Sequence, residues 1–278
     1  MICFLLKLVF LKQFINVCFL ISVIIPYYNA RNFIVQSIES CVSHEIVSEV
    51  LVVYDGCPEL NFFELREMFS DYSKVTVLAH PDFENLGAGA SRNLGIVNSK
   101  YPFIAFLDSD DYFLRNRFEV FLNFIANNVS FDGIYEAGVF EDTNDLYTIS
   151  NNNINSKNLL HFLIRGTYGH FCTNCIIISR KVLEKSGVFN ENLILHQDSE
   201  LWIRLSFYGQ LMPGNLSYPV SVIRRHKNNR IWKGTTNSSR LKQWRVTWKW
   251  ARHEPIGIIN KLLIIRKLIK FELKSLYK

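Results

Sequence analysis

The chain has 278 residues, 49% hydrophobic and 20% charged, which suffices for one large globular unit or two small ones and excludes a disordered chain. Its formal charge of +6 is unevenly placed: Arg224 to Lys278 carries 16 Lys and Arg against 2 acids, while the first 223 residues carry 15 basic and 23 acidic residues. A basic tail on an acidic body implies an anionic partner for the tail, and six cysteines in a chain this long exclude a dense disulfide framework and point to a reducing compartment.

Residues 1–20 are apolar but interrupted by Lys7 and Lys12, with no run of 18 strongly apolar residues and no small-residue cleavage site. A signal peptide is not expected; an interfacial helix or a misplaced upstream start codon is. Ile21 to Ile25 is a β-branched strand ended by Pro26, and Asn29 to Cys41 has helical spacing. Strands follow at Glu49–Tyr54, Lys74–Leu78 and Phe103–Leu107, separated by helices at Leu60–Phe69 and Ala88–Val97. This alternation predicts an α/β fold, a Rossmann-like and mostly parallel sheet flanked by helices. Ligands in such sheets bind at the carboxyl ends of strands, where Asp55 and Asp108 stand.

Past Arg115 the expected elements are a helix over 117–127, a strand over 133–139, a polar loop over 144–158 and a helix over 159–164. A strand over 175–179 and a helix over 181–187 come next. Asp198 then N-caps a helix, and Pro219–Ile223 is a last strand. From Lys227 onward the chain is basic and helical, with Trp232, Trp244, Trp248 and Trp250 among Arg and Lys. Residues 256–278 set Ile and Leu among lysines in the pattern of a basic amphipathic helix. An anionic membrane surface is its expected partner; a packing helix with a solvated face is the alternative, and no nucleic-acid-reading motif accompanies the charge.

The stretch FLDSDDYF (106–113) brings Asp108, Asp110 and Asp111 to one strand end. Like charges this close need screening by water or a cation, and such hard oxygens suit Mg²⁺ or Mn²⁺ shared with substrate phosphates. An acidic turn capping the next helix is the bland alternative. Upstream, NLGAGASRNLG (85–95) superficially matches a dinucleotide fingerprint, but Arg92 stands where its third glycine belongs. Arg92 instead offers a guanidinium at a helix start, suited to a phosphate. Cys172 and Cys175 form a lone CxxC, read as packing residues before a strand rather than as a zinc site.

Five segments in order resemble glycosyltransferase family 2, inverting enzymes of the GT-A fold that use nucleotide-diphosphate sugars. They are VIIPYYN (23–29), VVYDGCPE (52–59), residues 85–95, FLDSDD (106–111) and HQDSELWIR (196–204). The resemblance implies a GT-A domain over 21–226, divided into a nucleotide-sugar half (21–111) and an acceptor half (112–226), with a basic helical extension over 227–278. It implies nucleotide-sugar contacts at Pro26, Tyr28, Asp55, Arg92, Asp108 and Ser109, with Tyr28 lining the base pocket and Asp55 bonding the base. Asp108 and Asp110 would hold ribose and a Mn²⁺ or Mg²⁺ ion, Asp111 being the alternative metal ligand, and Asp198 would be the catalytic base. Tyr54 departs from the pattern, standing where relatives carry an acid, and Gln197 replaces a Glu. The implied activity uses a UDP-sugar on a lipid-linked or oligosaccharide acceptor, in O-antigen or capsule synthesis, at the cytoplasmic face of the cell membrane. A nucleotidyltransferase and a non-catalytic glycan-binding relative are the rival readings.

Overall fold

A computed structural model describes residues 20–225 and 234–276. The expected apolar segment therefore lies outside the described residues except for Leu20, as does Trp232. Strands β1 (Ile21–Tyr27), β2 (Val47–Tyr54), β3 (Val75–Ala79) and β4 (Phe103–Phe106) lie parallel, in the order β4-β1-β2-β3. Unbroken apolar runs belong in strands covered on both faces, and β1 is buried along its whole length. Pro26 lies inside β1 instead of ending it. Strand β4 pairs only with Ile21–Ile24, so beyond that point one flank of β1 has no strand to serve, and a residue without an N–H is tolerated.

Helices α1 (Ile34–Val42), α2 (Phe62–Met68) and α3 (Ala88–Asn98) connect these strands. Gly95 brings α3 onto β1: a Cβ there would lie 2.4 Å from Ile24 Cγ2. Beyond β4 come β5 (Tyr112–Phe113), α4 (Glu119–Ala126), β6 (Gly133–Tyr135), β7 (Ala137–Phe140) and β8 (Leu146–Tyr147). Then follow α5 (Leu159–Arg165), β9 (Ile176–Ser179), α6 (Arg180–Ser186), α7 (Gln197–Tyr208), β10 (Leu211–Pro213) and β11 (Pro219–Ile223).

The main sheet has seven strands, β10-β6-β9-β4-β1-β2-β3, with β9 antiparallel to both of its neighbours. A second sheet, β5-β11-β7-β8, stands beside it. The single strand expected over 133–139 is two strands, one in each sheet, divided at Glu136. That carboxylate is fully buried against Arg117 at 2.8 Å, and burial pushes it up to about 7 although the guanidinium opposes this. Expected continuity fails there because a buried ion pair occupies the position where the chain changes sheets.

The basic extension is a helical hairpin of α8 (Asn237–Ala251) and α9 (Ile258–Leu276). Thr236 starts α8 with a capping box to Ser239. Trp244, Ala251, Ile256 and Ile264 join the main core with α5 and α7. The other side of α9 leaves Ile258, Ile259, Leu262, Ile269, Leu273 and Leu276 more than half exposed. Among the described residues no helix is long and apolar enough to cross a membrane.

Candidate active site

Three strand ends form one edge of the main sheet. Asp55, after β2, is buried, and its Oδ1 accepts the amide N–H groups of Leu86 and Gly87 at 2.9 Å each. The Asn85 side chain donates to the Asp55 carbonyl at 2.8 Å, so the loop before α3 is clamped to the end of β2. Gly56 makes that approach possible: at φ +61 it carries no Cβ, which would lie 2.6 Å from the Asn85 nitrogen. Tyr28 is exposed beside this edge. Tyr54 turns inward, donating its hydroxyl to the Cys57 carbonyl at 2.8 Å and stacking on Tyr27.

The acids after β4 have distinct environments. Asp108 is partly exposed and accepts from Arg92 Nη2 at 2.5 Å. Arg92 is buried over the Phe189 ring, so it braces a carboxylate rather than standing free at a helix start. Asp111 is buried and both its oxygens are taken: Oδ1 accepts the Arg224 backbone N–H at 2.7 Å and Oδ2 accepts from Asn174 Nδ2 at 2.6 Å. Burial, then the charges of Asp110 and Asp108, push the Asp111 carboxyl up, against the pull of those two donors. Asp111 is thus an anchor of the turn, while Asp108 and Asp110 are partly exposed. Ser109 is buried and takes the Ser37 hydroxyl on its carbonyl at 2.9 Å.

Two residues escaped the sequence reading. Asn174, 1% exposed, accepts the Asp108 N–H on Oδ1 at 2.9 Å while donating to Asp111. Arg224, at the end of β11, donates to the Asp110 carbonyl and to Gln36 and lies 4.6 Å over the Tyr112 ring. Neither has a local pattern; each acts through partners more than 60 residues away. The CxxC gave the only local signal, and its thiols lie 3.0 Å apart around Asn174.

Asp198 is in the first turn of α7, but the N-cap is His196, in the left-handed region at φ 64. Asp198 Oδ1 accepts the N–H of Ser199 at 2.7 Å. Gln197 lies against Gly89 of α3, where a Cβ would fall 2.0 Å from Gln197 Oε1, an atom without a partner. The helix carrying Asp198 therefore touches the helix carrying Arg92. His196 Nε2 meets Ser239 Oγ of α8 at 3.3 Å. Burial holds His170 and His196 below the usual histidine range; Arg240 adds to this and Asp198 opposes it. Burial, then the charges of Asp198 and Cys172, push the Tyr147 hydroxyl up.

The Glycosyl transferase family 2 model matches residues 22–187. An uncharacterized glycosyltransferase of Rickettsia bellii is 32% identical over 222 residues, which is 75% of this chain but 29% of that protein. Three further Rickettsia relatives are matched over 32% to 58% of their lengths, so this chain spans less than two thirds of these four proteins, while one from Rickettsia typhi is matched over 72% of its length. The Escherichia coli UDP-Glc:alpha-D-GlcNAc-diphosphoundecaprenol beta-1,3-glucosyltransferase WfgD is 28% identical, over 83% of this chain and 84% of its own. The S. aureus TarS 1-349 structure in complex with UDP-GlcNAc superposes with a TM-score of 0.73 at 15% identity, over 92% of this chain and 73% of that one, and so shares the fold.

Proposed function

The chain belongs to glycosyl transferase family 2, and we propose that it moves a sugar from a UDP-sugar to a hydroxyl of a glycan acceptor, with inversion. The carrying observation is that one sheet edge presents a clamped carboxylate, Asp55, and an acidic turn, while Asp198 heads a helix in contact with the helix behind that edge. Asp55 keeps Oδ2 for an N–H of the base, and Tyr28 lines the pocket. Asp198 takes the proton of the acceptor hydroxyl as that oxygen attacks the anomeric carbon.

Asp108 and Asp110 suit a Mn²⁺ or Mg²⁺ ion, a hard cation that needs only one or two carboxylates when phosphates and water complete its shell; Asp111, with both oxygens taken, does not. Such an ion supplies charge neutralisation to the departing diphosphate. Arg92 and Asn174 hold Asp108 in place for that role.

The acceptor is a lipid-linked oligosaccharide of a surface polysaccharide such as O-antigen or capsule. The similarity to WfgD over most of both chains supports this. The site of action is the cytoplasmic face of the cell membrane, where the exposed apolar stripe of α9, flanked by Lys261, Arg266, Lys270 and Lys274, lies on anionic lipid. The test is a panel of nucleotide sugars with Mn²⁺, read by thermal shift and released nucleotide. A UDP-sugar is expected to stabilise the protein and be turned over; failure of every UDP-sugar overturns the reading.

A further inference from the structure

We propose that a phosphate group of the acceptor binds to Arg240, Lys267, Trp244 and His170, so that the C-terminal hairpin forms an anion subsite beside Asp198. The proposal rests on the reading of Asp198 as the group that receives the acceptor hydroxyl. Arg240 and Trp244 are one turn apart on α8 and share a face. From α9, Lys267 Nζ lies 4.7 Å over the Trp244 ring. Trp244 is 4% exposed, yet its indole N–H has no acceptor, and His170 Nδ1 is likewise buried without a partner. Buried polar atoms are nearly always paired, so two orphans beside two cations mark a place completed by a ligand.

The charges point to the sign of that ligand. Lys267 is pushed down to about 8 by burial and then by Lys270, Arg240 and Arg266. Among the described residues none of these four cations is in an ion pair, and Glu272 of α9 is taken by Arg245 at 2.8 Å. Like charges crowded without a counter-ion are relieved by an anion. A guanidinium, an ammonium and an indole N–H together match the acceptor oxygens of a phosphate.

The place fits an acceptor. Ser239, next to Arg240, touches His196, two residues before Asp198. Asp198 and Arg240 act in opposite directions on His170, His196 and Tyr147, so both charges lie near the same three side chains. A sugar whose hydroxyl meets Asp198 while its phosphate meets Arg240 has its two polar ends held at once. The cations also offset the repulsion between that phosphate and the Asp198 carboxylate.

The test uses the full chain, saturated with UDP in excess Mg²⁺ and titrated with inorganic pyrophosphate or with farnesyl diphosphate while tryptophan fluorescence is followed. Saturable binding of a diphosphate is expected, weakened about tenfold or more in Arg240→Ala and in Lys267→Ala and partly kept in Arg240→Lys, with UDP affinity and Tm unchanged. Tighter binding of farnesyl diphosphate than of pyrophosphate assigns the subsite to a lipid-linked acceptor, and equal binding to a water-soluble phosphate. No second-site binding in the wild-type chain, or equal binding in the alanine variants, overturns the proposal. Should UDP fail to bind, the donor reading falls by itself, and pyrophosphate titrated without UDP still decides the subsite.

Discussion

On the proposed donor side, the carboxylates of the site are held by the protein itself, although the buried Arg92 Nε has no partner. Asp55 is held by two amides, Asp108 by Arg92 and Asn174, and Asp111 by Asn174 and the Arg224 backbone. On the acceptor side, Asp198 is bonded to its own neighbour Ser199, while Gln197 Oε1, His170 Nδ1 and Trp244 Nε1 have no partner. The difference separates two ways of building a site. The first arranges its dipoles before any ligand arrives, at no reorganisation cost during the reaction. The second keeps hydrogen-bonding capacity open, and a ligand completes it.

The contrast can be broken most directly at Asp198. Asp198→Asn should lower kcat by about 10²–10⁴, the range for a lost general base, while UDP affinity stays put. Nucleotide release and calorimetry would read the two separately; unchanged turnover would place proton removal elsewhere. Next in size is Asn174→Ala. It strips a donor from Asp111 and an acceptor from the Asp108 N–H, each worth about 1–3 kcal/mol when left buried and unpaired. A lower Tm together with weaker UDP binding is expected, and a variant with normal Tm and normal UDP affinity would show that the donor side is not held as described.

The smallest effect concerns pH. His44, near the end of α1, is held down to about 4 by burial and then by Arg117, and His170 is held below its ordinary range chiefly by burial. Both are protonated first in the unfolded chain, so stability is present above about pH 6.5 and is lost as pH falls below it. His44→Gln should flatten the fall of Tm between pH 6.5 and 4, and His170→Gln should flatten it less. A steeper fall in either variant would reverse the sign argued here.

The four parallel strands were legible because their β-branched runs are continuous, and the acids after β4 because they stand where such a run ends. Strands β5 and β10 were not legible: two or three residues carry no period. Helix α7 was found, but its cap was misplaced by two residues, since a left-handed His196 is a less common cap than an Asp. Asp110 and Asp111 look alike in sequence. Only the distant partners Asn174 and Arg224 mark Asp111 as the buried anchor and leave Asp110 as the partly exposed carboxylate. In the same way, the amphipathic helix over 256–278 was legible and is α9, but its pairing with α8 and the packing of its inner face on the core depend on distant partners that the local pattern does not show.

The junction between the body and that hairpin has an evolutionary consequence. Asp55, Asp108 and Asp198 all precede residue 225, and Arg240, Trp244 and Lys267 all follow residue 234. A gene crossover between them would exchange three of the four proposed anion contacts, His170 staying with the body, while leaving the proposed donor residues untouched, provided the incoming helix restored the packing of Trp244 and Ile264. New linkages could then arise by recombination of tails, without an intermediate that loses its donor.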